Sequence, residues 1–156
     1  MTNILGIRVE PKKTHFIVMK QAQDGQFAVF NDECIKVPAA LDFPDRLKYI
    51  RNCVLDILRE YEIEIAGIRV AEGSSQNLDI TRLHIEGVIQ EAFSSSDVRK
   101  YFIGRKSSIA ARLGMKTGDL DQILKGTNGF EKVNNWGVLT TQNSREAALV
   151  AMGALA

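Results

Sequence analysis

The first forty residues carry short apolar runs separated by turn residues, and beyond them apolar positions recur at helical spacing. Ile4-Leu5-Gly6-Ile7 is apolar and His15-Phe16-Ile17-Val18-Met19 is rich in β-formers, with the polar, proline-broken Glu10-Pro11-Lys12-Lys13 between them. Asp24-Gly25 supplies a second hairpin turn, leading to Phe27-Ala28-Val29-Phe30 and then Cys34-Ile35-Lys36-Val37 before Pro38. This stretch predicts an antiparallel meander.

Phe43, Leu47, Ile50, Val54, Ile57, Leu58 and Tyr61 follow at spacings of three and four, one apolar face of a helix over 42–61. Ile63, Ile65, Ile68 and Val70 predict a short strand, stopped by Glu72-Gly73-Ser74-Ser75. A second helix, over 79–93, is expected to bury Ile85, Val88, Ile89 and Ala92, and a strand is expected near Tyr101-Phe102-Ile103. The last helix, from about Ser144, is so uniformly apolar after Glu146 that it should be buried on most sides. Strands followed by alternating helix and strand imply an α/β fold: a mixed sheet of three antiparallel N-terminal strands and two further strands, flanked by helices.

Composition narrows the classes. The chain has 156 residues, 45% of them hydrophobic and 25% charged, with 12 glycines and 3 prolines. That composition argues for one globular domain over 1–156 and against disorder or coiled coil. Cys34 and Cys53 lie 19 apart with no CxxC, which excludes a disulfide scaffold and a Cys/His zinc site. The apolar run over 147–156 is ten residues, short of the roughly 20 that span a membrane. Met1-Thr2-Asn3-Ile4 lacks a basic region followed by a long apolar stretch, so no signal peptide and a cytoplasmic location are expected.

The element order resembles the ribonuclease H-like fold, and three segments resemble its RuvC branch of Holliday-junction resolvases. They are Ile4-Leu5-Gly6-Ile7 before a hairpin, Val70-Ala71-Glu72-Gly73 at the end of the fourth strand, and the alanine-rich run Arg145-Glu146-Ala147-Ala148-Leu149-Val150-Ala151-Met152. Such nucleases hold two divalent ions, one activating water and one stabilising the leaving oxygen. The resemblance therefore implies Mg²⁺ or Mn²⁺ held by carboxylates of the first strand, fourth strand and last helix. The correspondence is incomplete. The first-strand acid falls on Arg8; Glu72 matches the fourth-strand acid; of the two helix acids three residues apart, Asn143 and Glu146 stand in place, and only one is charged.

Glu72 and Glu146 are thus the candidate metal ligands. Glu10, two residues past Arg8 and on the same side of an extended strand, completes a shifted catalytic triad of Glu10, Glu72 and Glu146, with Arg8 on a substrate phosphate. Plainer roles exist for each: Glu72 as a solvated or capping acid, Glu146 as a carboxylate at a helix N-terminus, Arg8 as an edge residue. His15 and His84 read as structural or solvated, and both cysteines as small core residues.

Charge is uneven. Arg99, Lys100, Arg105, Lys106, Arg112 and Lys116 fall in an acid-free stretch, so the rest of a chain of net charge +1 carries net −5. Tyr101 and Phe102 interleave with these cations, a mixture suited to phosphate contact and base stacking, or to a solvated rim with its aromatics turned inward. The segment over 107–126 is similar to a helix-turn-helix, with Ile109, Leu113, Met115, Leu120 and Ile123 at inward positions and Gly114 at the turn. Its second helix, however, would present Asp119 and Asp121 to a duplex. Trp136, the sole tryptophan, reads either as a core plug or as a contact for a partner or base.

Three functions follow from these readings. The first is a resolvase-like domain with a decayed metal site, non-catalytic or altered, that still touches nucleic acid. The second is an active Mg²⁺- or Mn²⁺-dependent nuclease, and the third a protein-interaction module on the same fold. The resemblance also implies a homodimer.

Overall fold

The computed structural model describes residues 1–73 and 76–156. Ser74 and Ser75, half of the turn expected after the fourth strand, lie outside the described residues. Three strands, β1 (Thr2–Val9), β2 (Thr14–Gln21) and β3 (Phe27–Ile35), form the meander; α1 (Phe43–Glu60), β4 (Ile65–Arg69), α2 (Ile80–Ser94) and β5 (Lys100–Gly104) follow. Two short helices, α3 (Lys106–Arg112) and α4 (Thr117–Leu124), make the expected hairpin, and α5 (Gln142–Leu155) closes the chain after a single 3-10 turn over Trp136–Val138.

The five strands form one sheet in the order β3-β2-β1-β4-β5. β1 pairs antiparallel with β2 and parallel with β4, while β4 and β5 are parallel. This is the expected α/β arrangement, a mixed sheet flanked by helices. The two apolar pieces expected after Asp24-Gly25 lie on one strand, with Lys36 and Val37 beyond its end. Its register against β2 steps from Val18↔Asn31 to Met19↔Val29, so Phe30 is the extra residue of a bulge and stands 61% exposed.

The sheet separates two cores. Leu5, Ile7, Val9, Ala66 and Ile68 face α1 and α2, while Ile4, Ile17 and Ile65 face α5 and the α3–α4 hairpin. α1 begins after Asp42 with Pro44 in its first turn and buries Ile50, Val54, Ile57 and Leu58, four of the expected stripe. α2 starts at Asp79, whose carboxylate accepts from the Arg82 N–H. It buries Ile85, Ile89, Ala92 and Phe93, but Val88 is only half-buried and Glu86 is turned inward instead.

α5 is buried along nearly its whole length, and glycines are the reason it fits. Gly6 and Gly67 are cross-strand partners. A Cβ at Gly6 would stand 1.9 Å from the Ala147 carbonyl oxygen, and one at Gly67 2.6 Å from that of Val150. The helix backbone therefore lies directly on β1 and β4, as only glycine permits. That contact sets where the first turn of α5, with Asn143 and Glu146, meets the sheet.

Candidate functional site

Two residues beyond each of these glycines, on the same face, stand Arg8 and Arg69, also cross-strand partners. Arg8 pairs across β2 with His15, and His15 across β3 with Cys34. A polar row, Cys34-His15-Arg8-Arg69, thus crosses four strands near the carboxyl ends of the parallel ones, the edge where α/β sheets place ligands.

Glu146 comes down from α5 between the two arginines. Its Oε2 is 2.6 Å from Arg8 Nε and its Oε1 3.7 Å from Arg69 Nε. Neither Nε is aligned for a hydrogen bond, so charge rather than geometry holds them. Arg8 Nη1 donates to the Arg69 carbonyl at 3.3 Å, and Arg69 Nη1 donates to the Val70 carbonyl. Arg69 is 3% exposed and Glu146 4%. Burial pushes the Glu146 carboxyl above its ordinary range; Arg69, Arg82 and Lys106 pull it back, and Glu72 adds to the rise.

Glu72 is half-exposed and lies 3.1 Å from Arg69 Nη2; its Oε1 also accepts the Lys106 backbone N–H at 3.1 Å, tying the end of β4 to the start of α3. Glu86, from α2, accepts the Ala71 N–H at 3.1 Å and the Arg82 Nε–H at 2.9 Å. On the other side, Glu10 Oε1 accepts from Asn143 Nδ2 at 2.6 Å, and Glu10 Oε2 lies 3.4 Å from His15 Nε2 and 3.8 Å from Lys13 Nζ. Cys34 Sγ is 3.3 Å from His15 Nδ1, and burial raises its thiol. Ser144, next to Asn143, donates from Oγ to Asp32 at 3.1 Å.

Glu10, Glu72 and Glu146 therefore come to one end of the sheet, yet each is already occupied by neighbouring side chains, with Arg69 shared by Glu72 and Glu146. Among the described residues no three His, Cys, Asp or Glu side chains are grouped to hold a metal ion. Hard divalent cations want free oxygen ligands. Here both oxygens of Glu146 face guanidiniums, and Glu72 and Glu10 are bonded to Arg69 and Asn143 respectively. Two fixed positive charges within a few ångströms would also repel an incoming cation. The residues present do not fit a divalent pair.

Arg69, Arg82 and Glu86 belong to this cluster and escaped the sequence reading. Arg69 had a signal: it stands between Ile68 and Val70 in a short β-branched strand, and the structure buries that strand throughout, where an unpaired charge is not tolerated. Arg82 and Glu86, four apart on α2, have the spacing of an ordinary exposed helix pair, which carries no signal of burial.

The six cations of the basic stretch are distributed rather than gathered. Arg99 lies 3.8 Å from Glu64, Lys106 2.8 Å from Asp121, and Lys100 donates to the Leu155 and Ala156 carbonyls. Arg112 donates to the Gly153 carbonyl at 3.2 Å and its guanidinium lies 4.0 Å above the Phe102 ring. Arg105 and Lys116 are exposed. Of the aromatics, Phe102 is buried and Tyr101 is 48% exposed. In the α3–α4 hairpin, Gly114 takes a φ of +68° at the turn; Ile109, Leu120 and Ile123 are buried, with Leu113 and Met115 packed against them. Trp136 is 8% exposed, within the core under α5.

No protein-family model matches the chain, and no curated protein matches it. Solved structures do. Thermus thermophilus RuvC superposes with a TM-score of 0.72 at 14% identity, covering 96% of this chain and 90% of that one. The T. thermophilus RuvC structure in complex with a Holliday junction substrate gives 0.71 at the same identity and coverage. The yeast mitochondrial Holliday junction resolvase Ydc2 gives 0.56 at 14% identity, over 96% of this chain and 77% of that one. The chain has the ribonuclease H-like fold in its RuvC-like form.

Proposed function

We propose that this chain is a nucleic-acid-binding domain of the RuvC-like fold that does not cleave, its carboxylate centre replaced by an arginine–glutamate ion cluster. The observation that carries the reading is Glu146 buried between Arg69 and Arg8, the residue that stands where the resemblance called for the first-strand carboxylate. Arg8, the more accessible of these two guanidiniums, can hydrogen-bond a phosphodiester, but a guanidinium generates no hydroxide nucleophile as a metal pair would. Arg8, 13% exposed, and the exposed Arg105 and Lys116 are the groups that meet phosphate; Arg99, Lys100, Lys106 and Arg112 add to the field from their internal pairings. The T. thermophilus RuvC complex with a Holliday junction substrate supports nucleic acid as the partner class of this fold.

The test is binding and cleavage of labelled four-way, duplex and single-stranded substrates, with Mg²⁺ or Mn²⁺. Expected are complexes that weaken steeply with salt and are weakened further by Arg8→Ala, with every substrate left intact. Cleavage by the wild type that disappears in Glu72→Ala would overturn the reading in favour of a nuclease using Glu10, Glu72 and Glu146. Absence of binding at low salt would remove the nucleic-acid part.

A specific observation also favours a homodimer. Ile80 and Leu83 on α2 are 71% and 40% exposed, and Gly87, one turn on, has nothing within 4 Å of where its Cβ would be. A mid-helix glycine costs about 1 kcal/mol against alanine, and nothing in this chain requires it. A second α2, related by a two-fold axis, would cross at Gly87 and cover both apolar side chains. Sedimentation should give a dimer that Leu83→Asp turns into a folded monomer; a wild-type monomer at high concentration would rule this out.

A further inference from the structure

The segment between α4 and α5 surrounds an open cavity that the ion cluster does not use. Its volume is about 600 Å³, within the roughly 300–1,000 Å³ of small-molecule sites. Buried Val133 and Trp136 line its depth, and half-buried Phe130 meets Trp136 edge to face, 5.6 Å between ring centroids. The exposed amides of Asn128 and Asn134 stand around this apolar base. Among the described residues no hydrogen bond engages either side-chain amide or the Trp136 indole N–H. Arg145 closes one wall: Nη1 donates to the Leu124 carbonyl at 3.2 Å, and its guanidinium lies so close over Gly126 that a Cβ there would stand 2.9 Å from it.

Gly129 and Gly137 also line the cavity. A Cβ at either would meet nothing within 4 Å, and neither has a left-handed backbone. Neither turn geometry nor packing requires glycine at these positions, so the effect of the missing side chains is to leave the mouth clear.

We propose that this cavity takes an unpaired nucleobase. A flat heteroaromatic ring suits the Phe130–Trp136 surface, its donor and acceptor edge matches the two free amides, and Arg145 is placed for the attached phosphate. The cavity stands on its own geometry and has room for a base with its sugar and phosphate, while the polymer that carries the base rests on the nucleic-acid reading above.

Trp136, the sole tryptophan, makes the site directly readable by fluorescence. Adenosine monophosphate and a short single-stranded oligonucleotide are expected to quench and shift its emission, whereas an abasic oligonucleotide of the same length is not. Gly137→Leu, which enters open space, should weaken the response about tenfold or more with the thermal melt unchanged; Asn134→Ala, an exposed position, serves as a second variant. Unchanged emission with both probes, an equal response to the abasic strand, or full responses in both variants would each overturn the proposal. Anisotropy of a labelled oligonucleotide separates the two readings. Binding without a tryptophan response removes the cavity alone, and a response to the mononucleotide without oligonucleotide binding removes only the polymer.

Discussion

The two faces of the sheet are built on opposite principles. Towards α1 and α2, the central strands present Leu5, Ile7, Val9, Ala66 and Ile68, and side-chain volume fills the space between layers. Towards α5, the same strands present Gly6 and Gly67, then Arg8 and Arg69, so that backbone meets backbone and buried charge meets buried charge. One face is specified by amount of apolar surface and tolerates repacking. The other is specified by atomic position, and its ion cluster depends on it.

Gly6→Val should break this comparison most sharply. Its Cβ would enter the Ala147 carbonyl, a clash with backbone that nothing nearby can relieve, so loss of a folded state, above about 4 kcal/mol, is expected in urea melts. Leu5→Ala, one residue away on the other face, leaves a cavity and should cost about 2–5 kcal/mol while the protein still folds. Equal tolerance of the two would show that α5 can lift off the sheet.

Glu146→Ala comes next, leaving half-buried Arg8 without its carboxylate and buried Arg69 with only the half-exposed Glu72, at about 3–5 kcal/mol. Glu146→Gln keeps an acceptor and should cost less. Because burial raises the Glu146 carboxyl from its ordinary 4.5, the native state holds more protons than the unfolded chain between 4.5 and the raised value. Stability should therefore fall as pH rises across that window, and Glu146→Gln should flatten the slope. A wild-type-minus-variant difference that grows with pH would mean that the arginines outweigh burial.

The smallest effect is at the end of α1, on the volume-packed side. Glu62 adopts a left-handed φ of 51° while its N–H and that of Ile63 bond back to Arg59 and Leu58. Glu62→Gly should raise stability by about 0.5–1 kcal/mol, measured by thermal melt. No gain would place the cost of that turn elsewhere, in the Asn3 contacts with the Tyr61 and Glu62 carbonyls.

Most elements were legible from periodicity because each is bounded by a local breaker. Asp24-Gly25 turns the hairpin, Asp42 and Asp79 precede helices, and Gly114 turns α3 into α4 with a left-handed backbone. The inward turn of Glu86 was not legible, since it depends on an N–H of Ala71 fifteen residues away and not on the helix's own pattern. Glu10 reaching the last helix was half legible. Its parity with Arg8 places it on the right face, but its partner Asn143 is 133 residues distant.

By itself the sequence determined the order of strands and helices, the apolar faces and the presence of carboxylates at 10, 72 and 146, because patterns of period two and near four are local. Only the tertiary structure decided what those carboxylates do. Arg69 joins Arg8 through strand register, and α5 settles onto Gly6 and Gly67 closely enough to lower Glu146 between two guanidiniums. Coulomb interactions and backbone contact depend on distances of a few ångströms between segments far apart in the chain, and no local pattern encodes such distances.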